Sequence, residues 1–135
     1  MKIVYVDGVF DLFHFGHLEF LKAAKSHGYL LIVGVISDED CATYKRKPVI
    51  EHSLRCEILK HIDVVDIVIE NPPLKITEEF IFEHQINLVI HGNDNLQLEF
   101  FDVPIKLGKM KYIPYTPVIS TTKIIKKILT EYNGT

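Results

Sequence analysis

The chain has no tryptophan and only two cysteines in 135 residues. Without tryptophan, an aromatic cage for a quaternary ammonium ion would lack its best component. Cys41 and Cys56 stand apart with no paired spacing, which gives no zinc ribbon and no disulfide framework. Two free thiols in a reducing, cytoplasmic setting are expected, with one Cys41–Cys56 disulfide as the alternative. No apolar run reaches the ~18 residues needed to cross a bilayer. Met1-Lys2 leads at once into a strand pattern, so no signal peptide and no membrane segment are expected. Positive charge is also scarce. The net charge is -3 with histidine neutral, so no global basic field suggests nucleic acid as a partner. No Gly-x-Gly-x-x-Gly follows the first strand pattern, which argues against a dinucleotide oxidoreductase. Repeats, low-complexity stretches and linkers are missing, so a single domain over residues 1–135 is expected.

What is present is an ordinary globular balance, 47% hydrophobic and 24% charged, arranged as alternating strands and helices. Ile3–Val6, Tyr29–Ile36, Val64–Ile69, Leu88–Ile90 and Lys111–Ile113 read as strands. The second is a continuous apolar run, as in a strand buried on both faces. Helical spacing runs from Leu18 to about Gly28 and from Ser53 to His61. A helix opens at Thr77-Glu78-Glu79, and another covers Glu99 to Leu107 despite Pro104. Thr121 or Thr122 caps a closing helix. Five strands alternating with helices imply an α/β fold with a doubly wound, five-stranded parallel sheet. Its ligands bind at the carboxyl ends of the strands. The loops over residues 7–17, 37–48, 91–95 and 114–121 would share that edge.

Three of these loops carry chemistry worth naming. In the run Asp7 to His17, Gly16 lies between His14 and His17, after a strand and at the mouth of a helix. A helix N-terminus offers unpaired N–H groups and partial positive charge to a phosphate. Two imidazoles beside it can donate to a phosphoryl group as charge spreads over its oxygens. A surface histidine pair is the bland alternative, and half a zinc site is excluded by the lack of matching ligands. Lys45, Arg46 and Lys47 form a basic loop able to close over a polyphosphate, though Arg46 and Lys47 fit a solvated loop equally well. Ser120 and Thr121 present hydroxyls and N–H groups at the last helix.

The segment Gly8-Val9-Phe10-Asp11-Leu12-Phe13-His14-Phe15-Gly16-His17 resembles the signature of the cytidylyltransferase branch of the HxGH nucleotidyltransferases. The resemblance implies a Rossmann-like fold and transfer of a nucleotide from a triphosphate to a phosphorylated acceptor, with release of pyrophosphate. It makes His14, His17 and Lys45 the catalytic residues. It makes Val9, Phe10, Asp11, Phe15, Gly16 and Arg55 nucleotide-binding residues. Gly92, Asn93 and Asp94 would hold the nucleoside. Ile119, Ser120 and Thr121 match the end of a phosphate-binding motif whose first half is altered, because Tyr115 stands where the family has arginine. The resemblance further implies CTP with Mg²⁺, no dedicated metal ligands, and a homodimer. In the family's dimer-forming segment this chain reads Asp63-Val64-Val65-Asp66-Ile67. The acceptor it favours is phosphoethanolamine, then glycerol 3-phosphate or phosphocholine; choline-type members carry tryptophan near the position of Leu74. Two alternatives stay open, an ATP-dependent adenylyltransferase of the same superfamily and a nucleotide-binding module weakened in catalysis by Tyr115.

Overall fold

Period-two alternation sorts the first strand between two layers. In β1 (Ile3–Gly8), Val4 and Val6 enter one core and Tyr5 enters the other, and all three are fully buried, as alternation along a pleated strand requires. A computed structural model describes residues 1–93, 98–114 and 119–132. After β1 come α1 (Phe15–Lys25), β2 (Leu30–Val35), α2 (Asp38–Ala42), α3 (His52–Lys60) and β3 (Ile67–Ile69). Then follow α4 (Glu78–Glu83), β4 (Leu88–Gly92), a 3₁₀ turn (Leu98–Phe101), α5 (Asp102–Lys106), β5 (Met110–Ile113) and α6 (Thr121–Glu131).

The strands form one parallel sheet in the order β3-β2-β1-β4-β5. One face buries Val4, Val6, Leu31, Val33 and Ile90 against Leu21 and Ala24 of α1 and Cys56 and Leu59 of α3. The other buries Tyr5, Ile32 and Val89 against Ile76, Phe80, Ile81 and Phe101. Each large side chain removed from water contributes roughly 1.5–3 kcal/mol. This is the Rossmann-like, doubly wound sheet implied above. The chain winds outward from β1 to β3, then returns to β4 on the other side of β1. The crevice of the fold therefore opens at the carboxyl ends of β1 and β4.

Several boundaries differ from the sequence reading, and four of them have a local reason. β3 begins at Ile67 rather than Val64, because Asp66 turns its carboxylate onto the Leu31 N–H (2.8 Å) and the Lys25 ammonium. β4 continues through His91 and Gly92, which pair with Tyr112 and Ile113. The segment from Glu99 is split into a 3₁₀ turn and a short helix; Pro104 is the third residue of α5, where its missing N–H would have no intrahelical partner. The cap of α6 is Ser120, whose hydroxyl accepts from Lys123 N–H at 3.1 Å, not Thr121 or Thr122. Both cysteines are free and buried.

Candidate active site

His14 is the N-cap of α1, and the capping is reciprocal. Its Nδ1 accepts from Gly16 N–H at 3.0 Å, while His17 Nδ1 accepts from His14 N–H at 3.2 Å. Each imidazole thus uses one nitrogen to accept a backbone proton. A neutral ring in that position must carry its own proton on Nε2. Both rings are held neutral. Burial pushes His14 below the ordinary histidine value. Burial, then the adjacent His14, takes His17 down to about 3. The rings stack at 3.8 Å between centroids, with Phe13 at 5.4 Å and the Phe10 ring 5.6 Å away on the His17 flank. The result is a pair of oriented, uncharged N–H donors at a helix mouth.

Gly16 is required by close approach. A Cβ there would lie 2.9 Å from His14 Cε1 and 3.1 Å from the Ile119 carbonyl oxygen. The preceding loop stores strain, since Phe10 (φ 54°) and Leu12 (φ 49°) both adopt the left-handed region. Each costs on the order of 1 kcal/mol and persists only where its surroundings over-determine it.

The surroundings are a network of buried charge. Asp11 accepts from Val49 N–H (2.7 Å), Ile50 N–H (2.9 Å) and Arg46 Nη1 (3.1 Å). Burial pushes its carboxyl up, but these hydrogen bonds outweigh burial and hold it below the ordinary range. Its backbone carbonyl accepts from Thr121 Oγ1 at 2.9 Å, tying the loop to α6. Arg55 is 1% exposed. Its guanidinium donates to the carbonyls of Ile50 (2.9 Å), Val9 (2.7 Å) and Ile36 (3.0 Å) and to Asp38 Oδ1 (2.6 Å). The resemblance assigns Arg55 to the nucleotide; the structure places it inside the protein, in the lining of neither cavity described below. Four of its five N–H groups are committed to the protein, and the residue anchors the ends of β1 and β2 to the 46–51 loop.

Around this scaffold opens a cavity of about 470 Å³. Val9, Phe10, Asp11, His17, Lys45 and Thr121 line it, as the sequence implied. So do Arg46, read above as either a polyphosphate contact or a solvated loop residue, and Cys41, Pro48, Thr122, Ile125 and Lys126, which had no such reading. The α6 group had a readable signal. Thr121 and Ile125, and Thr122 and Lys126, are four positions apart, and Thr122 and Ile125 three, so they form one side of the helix. Cys41 is no nucleophile, because burial raises its thiol above the ordinary value and keeps it protonated at neutral pH. Other implied residues lie elsewhere. Phe15 is 55% exposed and, with Ile119, lines a separate groove along α6. Gly92 ends β4, and Asn93 N–H donates to the Ile113 carbonyl at 3.1 Å. Asp94 and Tyr115 fall outside the described residues.

A second, smaller cavity of about 50 Å³ sits at the end of β1, lined by Asp7, Gly8, Tyr44, Leu74, His91 and Phe101 among others. Lys45 lines both cavities and so stands between them. Burial pushes the Asp7 carboxyl up to about 7. The nearby Tyr5 hydroxyl, raised by burial and by Asp7, is buried without a well-formed hydrogen bond among the described residues. Sequence reading missed Asp7, since a carboxylate at a strand end has no motif of its own. Among the described residues no group of three His, Cys, Asp or Glu could hold a metal ion, and no helix is long and apolar enough to cross a membrane.

Known proteins are similar to this chain in sequence and in fold. The chain is 37% identical to the ethanolamine-phosphate cytidylyltransferase of Arabidopsis thaliana over 93% of its own length and 32% of that protein's. It is 40% identical to the choline-phosphate cytidylyltransferase of Saccharomyces cerevisiae over 96% of its length, again 32% of the relative. It thus spans about a third of these two relatives. A crystal structure of the lipopolysaccharide core biosynthesis protein from Thermoplasma volcanium GSS1 superposes with a TM-score of 0.73 at 26% identity, covering 86% of this chain and 98% of that one. The cytidylyltransferase-like family model matches residues 5–127, from β1 to α6. On that match, which takes in the histidine pair, both cavities and the Arg55 anchor, the chain belongs to the cytidylyltransferase-like family.

Proposed function

We propose that the chain transfers a cytidylyl group from CTP to a small phosphorylated amino alcohol, phosphoethanolamine by preference, with release of pyrophosphate. The observation that carries this reading is the paired capping of His14 and His17. It leaves two Nε2–H donors fixed at a helix N-terminus, His17 lining the larger cavity and His14 stacked against it, in a member of the cytidylyltransferase-like family. A phosphate oxygen of the acceptor attacks the α-phosphorus in line. One P–O bond forms and the bond to the β-phosphate oxygen breaks. The two imidazoles donate to the equatorial oxygens as charge builds there, a preorganised arrangement that needs no proton transfer. The acceptor phosphate is already a nucleophile at neutral pH, so no strong general base is required. Mg²⁺ enters with the triphosphate as part of the substrate.

Lys45 lines both cavities, where an ammonium would neutralise the acceptor phosphate and the departing pyrophosphate in turn. The small cavity suits the acceptor's cationic end. It offers the Asp7 carboxylate and has Leu74 on its wall, and it is compact. A primary ammonium needs hydrogen-bond acceptors in little space; Tyr44, Phe100 and Phe101 also line the cavity, so its small volume and its carboxylate, rather than a lack of aromatic faces, disfavour a bulkier quaternary ammonium. A homodimer, as the family resemblance implies, is part of this proposal and is tested by sedimentation.

Pyrophosphate release, with CTP and ATP each crossed with phosphoethanolamine, phosphocholine and glycerol 3-phosphate, tests the reading. Release with CTP and phosphoethanolamine above the other pairs is expected. Faster release with ATP makes the chain an adenylyltransferase. CTP binding without release across the panel leaves it a nucleotide-binding module.

A further inference from the structure

Three cations face the 470 Å³ cavity, Lys45, Arg46 and Lys126, and they are not equivalent. The Arg46 guanidinium is committed to Asp11 Oδ2 at 3.1 Å and to the Lys47 carbonyl at 3.2 Å. Lys45 stands at the junction with the smaller cavity. Lys126 is carried by α6 and makes no ion pair among the described residues. The segment leading into α6, residues 114–120, contains no lysine or arginine. Positive charge on the α6 side must therefore come from the helix itself. Lys126 lies five residues beyond Thr121, about 7.5 Å further along the axis. The helix N-terminus meets the histidine loop at the Thr121–Asp11 hydrogen bond. A triphosphate whose α-phosphorus lies at the histidines would run its far end along this face.

We propose that Lys126 binds the β- or γ-phosphate of the nucleotide, closing the cavity from the α6 side against Lys45. The inference rests on the cytidylyl-transfer reading and adds to it a residue of this chain. Lys127 provides a matched control. It is next in sequence, equally charged, and rotated about 100° around the helix onto the separate groove with Phe15, Ile119 and Ile124.

Calorimetric titration with MgCTP and with CMP tests the assignment. Lys126→Ala should weaken CTP about tenfold, the effect of removing one partly exposed charge-assisted contact. CMP, which lacks the β- and γ-phosphates, should bind within twofold of wild type. Lys126→Arg should restore CTP binding, and Lys127→Ala should leave it unchanged, with melting temperatures equal throughout. CTP affinity unchanged in Lys126→Ala, or lost equally for CTP and CMP, overturns the inference while leaving the transfer reading intact. A wild-type chain that binds no CTP overturns both.

Discussion

The two walls of the larger cavity use the same residue types to opposite ends. On the side built from the 9–14 loop, the 46–51 loop and α3, charges are buried and consumed. Arg55 donates four hydrogen bonds to the protein, and Asp11 accepts three. On the α6 side no residue is buried, and Lys126 stands beside the cavity without an ion pair among the described residues. The first wall fixes shape. It compels Phe10 and Leu12 into left-handed backbone and so presents the histidine mouth. The second supplies charge that a ligand can still claim. A cation near a phosphate site is thus not by itself a phosphate ligand; what its donors already hold decides.

The sharpest break between fixed geometry and chemistry is at the histidines. His17→Ala should lower turnover on the order of 10²- to 10⁴-fold while the melting temperature moves by a few degrees at most. Steady-state rates beside thermal melts would show this, and near-normal turnover would remove His17 from the chemistry. On the structural wall the sign reverses. Arg55→Ala removes the ion-pair partner of Asp38, leaving it the His52 N–H at 3.3 Å, strips three carbonyls of their guanidinium donors, and should cost about 3 kcal/mol of stability in urea titration. Unchanged stability with weakened CTP binding would return Arg55 to the nucleotide.

Asp11 gives a pH form of the same contrast. Its carboxyl is held below the ordinary range, so its stabilisation is present above the unfolded value near pH 4 and is lost as pH falls through the lower folded value. Asp11→Asn should be less stable at pH 7 by about 1–3 kcal/mol, and its disadvantage should shrink in acid; a gap independent of pH would contradict the role given to the carboxylate. The smallest effect is expected at Asp7, whose carboxyl lies at about 7. Deprotonation above that value provides the charge that attracts an ammonium. kcat/KM for phosphoethanolamine should therefore rise up to about tenfold between pH 6 and 8, and Asp7→Asn should flatten the Asp7 part of that rise.

Much of this was legible before any coordinates. The apolar runs of β1 and β2 and the helical spacing after His17 gave the layers and the sheet edge, because burial and period are carried by sequence. Gly16 between two histidines at a strand–helix junction gave the site, because each residue type there has one good physical reason. The parts that escaped depend on partners distant in the chain. Arg55 reads as a nucleotide-binding cation until its donors are traced to Val9 and Ile36. Asp7 reads as the first residue of a loop until His91 and Phe101 join it in lining a cavity. Thr121 and Thr122 both look like caps, and only the Ser120 hydroxyl accepting from Lys123 N–H shows that the helix starts earlier than either implies.

The most direct test of the central claim is to identify the product. Incubated with MgCTP and phosphoethanolamine and followed by ³¹P resonance, the chain should convert both into CDP-ethanolamine and pyrophosphate in equal amounts. A spectrum in which CTP and phosphoethanolamine persist unchanged would contradict the account.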